Sequence, residues 1–191
     1  MEITVTPGRV GGRVSPPCSK SYAQRALAAS LLAEGRSVLH NLEFCDDTLA
    51  AMRCIETLGA HITRVDETTL AIEGGIVPSD ERHGGLLHPA SDTLHTGESG
   101  LATRLFTPIA ALCDRPMHIV GTGSLLHRPM NPMLDTLRRL GAEVTNNDGR
   151  LPLTVRGPLH GGEADIDGSV SSQFVTGLLL TLPLADKDTV L

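Results

Sequence analysis

Ser19-Lys20-Ser21-Tyr22-Ala23-Gln24-Arg25 places two cations and two hydroxyls at the head of an apolar helical run. The first N–H groups of a helix have no partner within it, and the helix dipole adds positive potential there. With Lys20 and Arg25 on the same turns, the segment reads as an anion site, most simply for phosphate. Two later stretches align with Ser19-Lys20-Ser21: Glu98-Ser99-Gly100 and Ser171-Ser172-Gln173. Each opens an apolar stretch with a helical pattern, over Arg25–Ala33, Arg104–Cys113 and Phe174–Ala185. Each is followed by a short strand-like segment: Ser37-Val38-Leu39, Pro116-Met117-His118 and Thr189-Val190-Leu191. Three helix N-termini at equivalent places point to one shared anionic site.

Other residue types give less. Cys18, Cys45, Cys54 and Cys113 form no C-x-x-C pair and read as reduced thiols of a cytoplasmic protein. The eight histidines show no H-E-x-x-H pairing, and His83 and His88, in a Gly-rich loop, read as surface residues. Asp46-Asp47 is explained by the start of a helix, where carboxylates are favoured, so no metal site is assigned. A formal charge of −6 argues against nucleic-acid binding, which favours a basic face. One Tyr, three Phe and no Trp leave few platforms for stacking bases and require an aliphatic core. Met1-Glu2-Ile3-Thr4-Val5 lacks the charged and apolar regions of a signal peptide, and no apolar run is long enough to span a membrane.

The elements that position these residues follow from periodicity and punctuation. Arg13–Pro16 reads as extended, 20–33 as a helix stopped at Gly35, and 38–41 as a strand. Residues 46–58 read as an amphipathic helix ending at Gly59, followed by a hairpin-like pair over 60–65 and 69–72. The order recurs, with helices expected over 99–113 and 132–140, and Leu58-Gly59-Ala60 returns as Leu140-Gly141-Ala142. A third repeat supplies a first strand, a first helix and the start of the next strand, so the chain reads as cut in mid-unit. The first helices are apolar nearly all round and belong inside; the second helices and strands belong outside them. Pro108 and Pro183 should kink or stop their helices.

Four motifs then carry a resemblance. Pro17-Cys18-Ser19-Lys20-Ser21-x-x-x-Arg25-Ala26-Leu27 resembles the phosphate-binding signature of the 5-enolpyruvylshikimate-3-phosphate synthase family. Gly97-Glu98-Ser99-Gly100-Leu101-Ala102-Thr103-Arg104 is similar to a second motif, and His127-Arg128-Pro129-Met130 leading to Leu140-Gly141-Ala142 to a third. Asp167-Gly168-Ser169-Val170-Ser171-Ser172-Gln173-Phe174 is the strongest. The resemblance implies an α/β fold of repeated βαβαββ units forming an inside-out α/β barrel, with buried helices and outer sheets. Residues 1–191 would be an incomplete N-terminal domain: repeat 1 about 13–75, repeat 2 about 90–156, repeat 3 from about 160, with 1–12 assignable to a second domain.

It further implies transfer of the enolpyruvyl group of phosphoenolpyruvate to the 5-hydroxyl of shikimate-3-phosphate, with release of phosphate and no cofactor. Lys20, Ser21 and Arg25 would hold shikimate-3-phosphate, with Lys20 also facing the phosphoenolpyruvate phosphate. Gly100 would give close approach to phosphoenolpyruvate and Arg128 would bind it. Ser171 and Ser172 would hold the shikimate phosphate, and Gln173 would lie between the substrates. Acid and base groups are expected from the other domain, so none is assigned, and this stretch alone should be inactive. The complete enzyme is expected to be a cytoplasmic monomer without membrane or nucleic-acid partners; the unpaired edge of the third repeat is a candidate for association.

Cys18, Glu98 and Leu101 stand where the family usually has Gly, Asn and Thr. Glu98 should repel phosphate unless it turns toward Arg104 or Arg128. Arg104 itself stays open between a substrate contact and a structural partner. Two alternatives remain: a non-catalytic anion-binding or interaction module, and the related UDP-N-acetylglucosamine enolpyruvyl transferase, which lacks the Ser-Lys-Ser-x-x-x-Arg motif.

Overall fold

A computed structural model describes residues 3–77 and 85–191. Glycine sets the end of the second helix in each of the first two units. In the first unit α1 (Lys20–Leu32), β1 (Arg36–Leu39), α2 (Asp46–Thr57), β2 (His61–Arg64) and β3 (Leu70–Glu73) follow one another. After α2, Gly59 takes φ 105° and the Ala60 N–H reaches back to the Ile55 carbonyl at 2.9 Å. The second unit, β4 (Thr93–His95), α3 (Gly100–Ala110), β5 (Met117–Val120), α4 (Asn131–Arg139), β6 (Glu143–Asn147) and β7 (Arg150–Arg156), repeats that end. Gly141 takes φ 105° and the Ala142 N–H bonds the Leu137 carbonyl at 3.0 Å. The repeated Leu-Gly-Ala is thus a repeated C-cap that turns the chain from helix to strand.

β1, β3 and β2 form one antiparallel sheet in the order β1-β3-β2. The second sheet runs β4-β5-β7-β6, with β4 and β5 parallel and the other pairs antiparallel. β8 (Gly162–Glu163) and β9 (Thr189–Val190) pair in parallel on either side of α5 (Ser172–Thr181). Thus the strand before the inner helix joins the strand after it in the second and third units. The first unit differs: Arg13–Pro16 is not a strand, and Val14 is 90% exposed. An extended segment becomes a strand only when an edge satisfies its N–H and C=O groups, and no described strand pairs with this one.

α3 lies at the centre, with every residue from Leu101 to Ala110 buried. α1 and α5 are less enclosed than their apolar sequences predict, with Tyr22 76% and Leu179 60% exposed. The core around them is aliphatic, built on Leu27, Leu31, Ile55, Leu105 and Ile109, with Phe106 and Phe174 inserted. β7 alternates buried and exposed residues, as a sheet with one covered face should. The described sheets stay separate and no barrel closes among them.

α3 and α5 meet through a specific device. Pro108 lies within α3, which ends at Ala110, and its missing N–H leaves the Arg104 carbonyl without its helical donor. Gly177 of α5 presses on that same carbonyl: a Cβ there would fall 2.2 Å from the oxygen. α5 itself stops at Thr181, and Pro183 sits in a 3₁₀ turn over Leu182–Leu184. His83 lies outside the described residues; His88 is half-buried rather than exposed, with Nε2 unpartnered among the described residues. No helix is long and apolar enough to cross a membrane, and the described residues hold no metal-ready cluster of His, Cys, Asp or Glu.

Candidate anion-binding site

The N-termini of α1 and α3 and the Gln173 end of α5 converge on one cleft. It encloses about 340 Å³ and is lined in part by Lys20, Ser21, Glu98, Gly100, Arg128 and Gln173. Ser99 is the reason α3 begins here: its Oγ accepts the Ala102 N–H at 3.2 Å, a helix N-cap. The same hydroxyl donates to Gln24 Oε1 at 2.9 Å, and the two residues are 2% and 1% exposed. One buried hydroxyl therefore caps α3 and fixes it to α1.

Two guanidiniums meet over Gly100. A Cβ at residue 100 would fall 2.8 Å from Arg128 Nη1 and 3.0 Å from Arg104 Nη1. Arg104 is only 9% exposed, donates from Nη1 to Gln173 Oε1 at 2.8 Å, and lies over the Phe174 ring at 4.8 Å. Its Nε is buried without a partner among the described residues. Burial, and then the like charge of Arg128, push the Arg104 pKa down, although a guanidinium stays charged. Neither arginine has a carboxylate partner among the described residues. Two nearby cations without a counterion, one largely desolvated, form a strong local demand for an anion.

Lys20 differs, because its Nζ lies 2.7 Å from Asp47 Oδ2 at the start of α2. The hydrogen bond to that carboxylate, and then its charge, hold the Lys20 pKa above its ordinary value. Arg25 is turned onto its own helix, donating to the Ser21 carbonyl at 2.9 Å, and is not part of the cleft lining. Ser171 caps α5 by accepting the Gln173 N–H at 3.3 Å; Ser172 is exposed, and neither serine lines the cleft. Glu98 turns to neither Arg104 nor Arg128, but packs its carboxylate against Gly123.

Gln24, Asp47 and Ser124 also line the cleft. Sequence reading passed over Gln24 and Ser124, and gave Asp47 only a helix-start role. Gln24 carried a signal, being a polar residue inside an apolar helical pattern. A larger groove of about 700 Å³ runs along α5 and the C-terminal segment, but its lone cation Lys187 sits between Asp186 and Asp188. Convergent charge distinguishes the smaller cleft.

The comparisons agree in one direction. The family model described as EPSP synthase (3-phosphoshikimate 1-carboxyvinyltransferase) matches residues 5–191. A 3-phosphoshikimate 1-carboxyvinyltransferase of Methanocorpusculum labreanum is 38% identical over 189 residues, covering 99% of this chain and 43% of the relative. That of Clostridium beijerinckii is 36% identical over 187 residues, covering 98% of this chain and 42% of the relative. A solved EPSP synthase of Acinetobacter baumannii superposes with a TM-score of 0.77 at 26% identity, over 91% of this chain and 38% of that one. The chain thus spans about two-fifths of the length of the relatives it matches.

Proposed function

The chain belongs to the EPSP synthase family, and from that premise we propose that it carries the N-terminal substrate half-site of an enolpyruvyl transfer from phosphoenolpyruvate to shikimate-3-phosphate. The observation that carries this reading is the pair Arg104 and Arg128 over Gly100, two guanidiniums without acidic partners among the described residues. Both substrates are anions and repel each other. A site that joins them must supply cations and helix N-termini fixed in advance, so that orientation and charge neutralisation are not lost to solvent.

Lys20 and Ser21 take the shikimate-3-phosphate side, with Arg25, Ser171 and Ser172, which lie outside the cleft lining, completing it. Arg128, Gly100 and the buried Arg104 take phosphoenolpyruvate. Gln173 tethers Arg104 and lies between the two ligands. The groups that move protons are contributed by residues beyond this chain, so the chain binds without multiple turnover.

In the complete enzyme the βαβαββ units close into an inside-out α/β barrel, with repeat 1 at about 13–75, repeat 2 at about 90–156 and repeat 3 from about 160. Residues 1–12 contribute to the second domain. The enzyme acts in the cytoplasm as a monomer, and requires neither cofactor nor metal. Equilibrium dialysis with labelled phosphoenolpyruvate tests the reading: retention should rise when shikimate-3-phosphate is added and fall in Arg128→Ala. Retention indifferent to both would refute it.

A further inference from the structure

The cleft contains an acceptor that the proposed half-site does not use. Glu98 lines it together with Lys20, Asp47 and Arg128, and makes no hydrogen bond or ion pair among the described residues. Lys20 and Asp47 satisfy each other at 2.7 Å. Arg128 remains as the lining cation without a carboxylate partner among the described residues, with Arg104 buried beside it at Gly100, and Glu98 as the free carboxylate.

Its position is built. A Cβ on Gly123 would lie 2.4 Å from Glu98 Cδ and Oε2, so the carboxylate rests where residue 123 has no side chain. Gly123 takes φ 58°, a left-handed conformation that glycine adopts without strain, and opens the 3₁₀ turn Gly123–His127 that leads to Arg128. The same turn therefore carries Glu98's resting place and one of the two guanidiniums.

We infer that Glu98 makes this cleft selective for an oxyanion that retains a proton, such as a singly protonated phosphate group, over a fully ionised one. This rests on the anion-site reading above. A carboxylate at neutral pH only accepts hydrogen bonds. Toward a fully ionised oxyanion it offers repulsion; toward a P–O–H group it accepts a charge-assisted hydrogen bond, among the stronger kinds. The ligand is then held at both poles: its unprotonated oxygens take N–H bonds from Arg128, with the charge of buried Arg104 behind them, and its O–H donates to Glu98. No bond is made or broken. A ligand with acceptors alone fills only the first half of this arrangement.

Inorganic phosphate and sulfate separate the two cases, because at about pH 6 phosphate keeps O–H groups and sulfate has none. Calorimetric titration of the chain at fixed ionic strength should give phosphate at least about tenfold tighter than sulfate, the scale of one hydrogen bond to a charged group. Glu98→Gln, whose amide both donates and accepts, should bring the two anions within about twofold. An unchanged phosphate preference in Glu98→Gln would overturn the inference while leaving the anion site intact. Sulfate binding the unaltered chain as tightly as phosphate would overturn it too. If neither anion binds, the anion-site reading itself fails.

Discussion

Arg104 and Gln173, 69 positions apart, meet at 2.8 Å, so that a buried cation beside the cleft is held by an amide from another helix. The amide oxygen orients the guanidinium without neutralising it. A carboxylate in the same place would satisfy Arg104 and remove its demand for a ligand.

This gives a prediction with two arms. Gln173→Ala should weaken phosphoenolpyruvate binding roughly tenfold, about one charge-assisted hydrogen bond. Gln173→Glu keeps the contact, yet should weaken binding as much or more by supplying an internal counterion. Dialysis of the two variants checks it; a Glu variant that binds as well as the original would show that geometry alone matters.

Gly100 separates function from stability. The nearest atoms to a Cβ there are guanidinium ends, Arg128 Nη1 on an exposed side chain and Arg104 Nη1 on a buried one, rather than backbone. Gly100→Ala should therefore leave unfolding free energy within about 0.5 kcal/mol, while displacing both guanidiniums and weakening phosphoenolpyruvate at least about tenfold. Urea melts and dialysis on one preparation test both halves.

Gly177→Ala should do the opposite. Its Cβ would lie 2.2 Å from the Arg104 carbonyl oxygen, and backbone cannot rotate away. Overpacking of this kind costs about 1–3 kcal/mol, and each kcal/mol lowers the melting temperature by about 2–4 °C in a chain of this size. A thermal scan showing no drop would mean that α3 and α5 do not approach as described.

The thiols should divide in two. Burial pushes Cys54 and Cys113 up to about 12, whereas Cys18 and Cys45 are half-exposed. Alkylation at about pH 8 should label Cys18 and Cys45 in the folded chain and add Cys54 and Cys113 only after denaturation, since thiolate is the reactive form. Labelling of Cys54 or Cys113 under native conditions would contradict the core packing.

Much of this was legible in the chain because repetition exposes function. Ser19 and Ser171 both stand just before their helices, as the alignment of the three stretches requires, whereas α3 is capped one place later, by Ser99 rather than by the aligned Glu98; the side chains of Ser99 and Ser171 cap. Leu-Gly-Ala marks two equal helix ends. Arg13–Pro16 reads as extended but pairs with no described strand, because strand identity depends on a neighbouring edge, which a local pattern does not encode. Lys20–Asp47 and Gln24–Ser99 were invisible for a related reason: each joins helices whose approach is set by core packing, not by spacing in sequence. The exposure of Leu179 follows from what surrounds α5, and its apolar pattern predicts only that it is able to be buried.

The most direct test is a calorimetric titration of the chain with shikimate-3-phosphate, beside Lys20→Ala. The half-site predicts saturable one-to-one binding, weakened at least about tenfold when the Lys20 ammonium is removed from the head of α1. An identical dissociation constant for the two chains would contradict it.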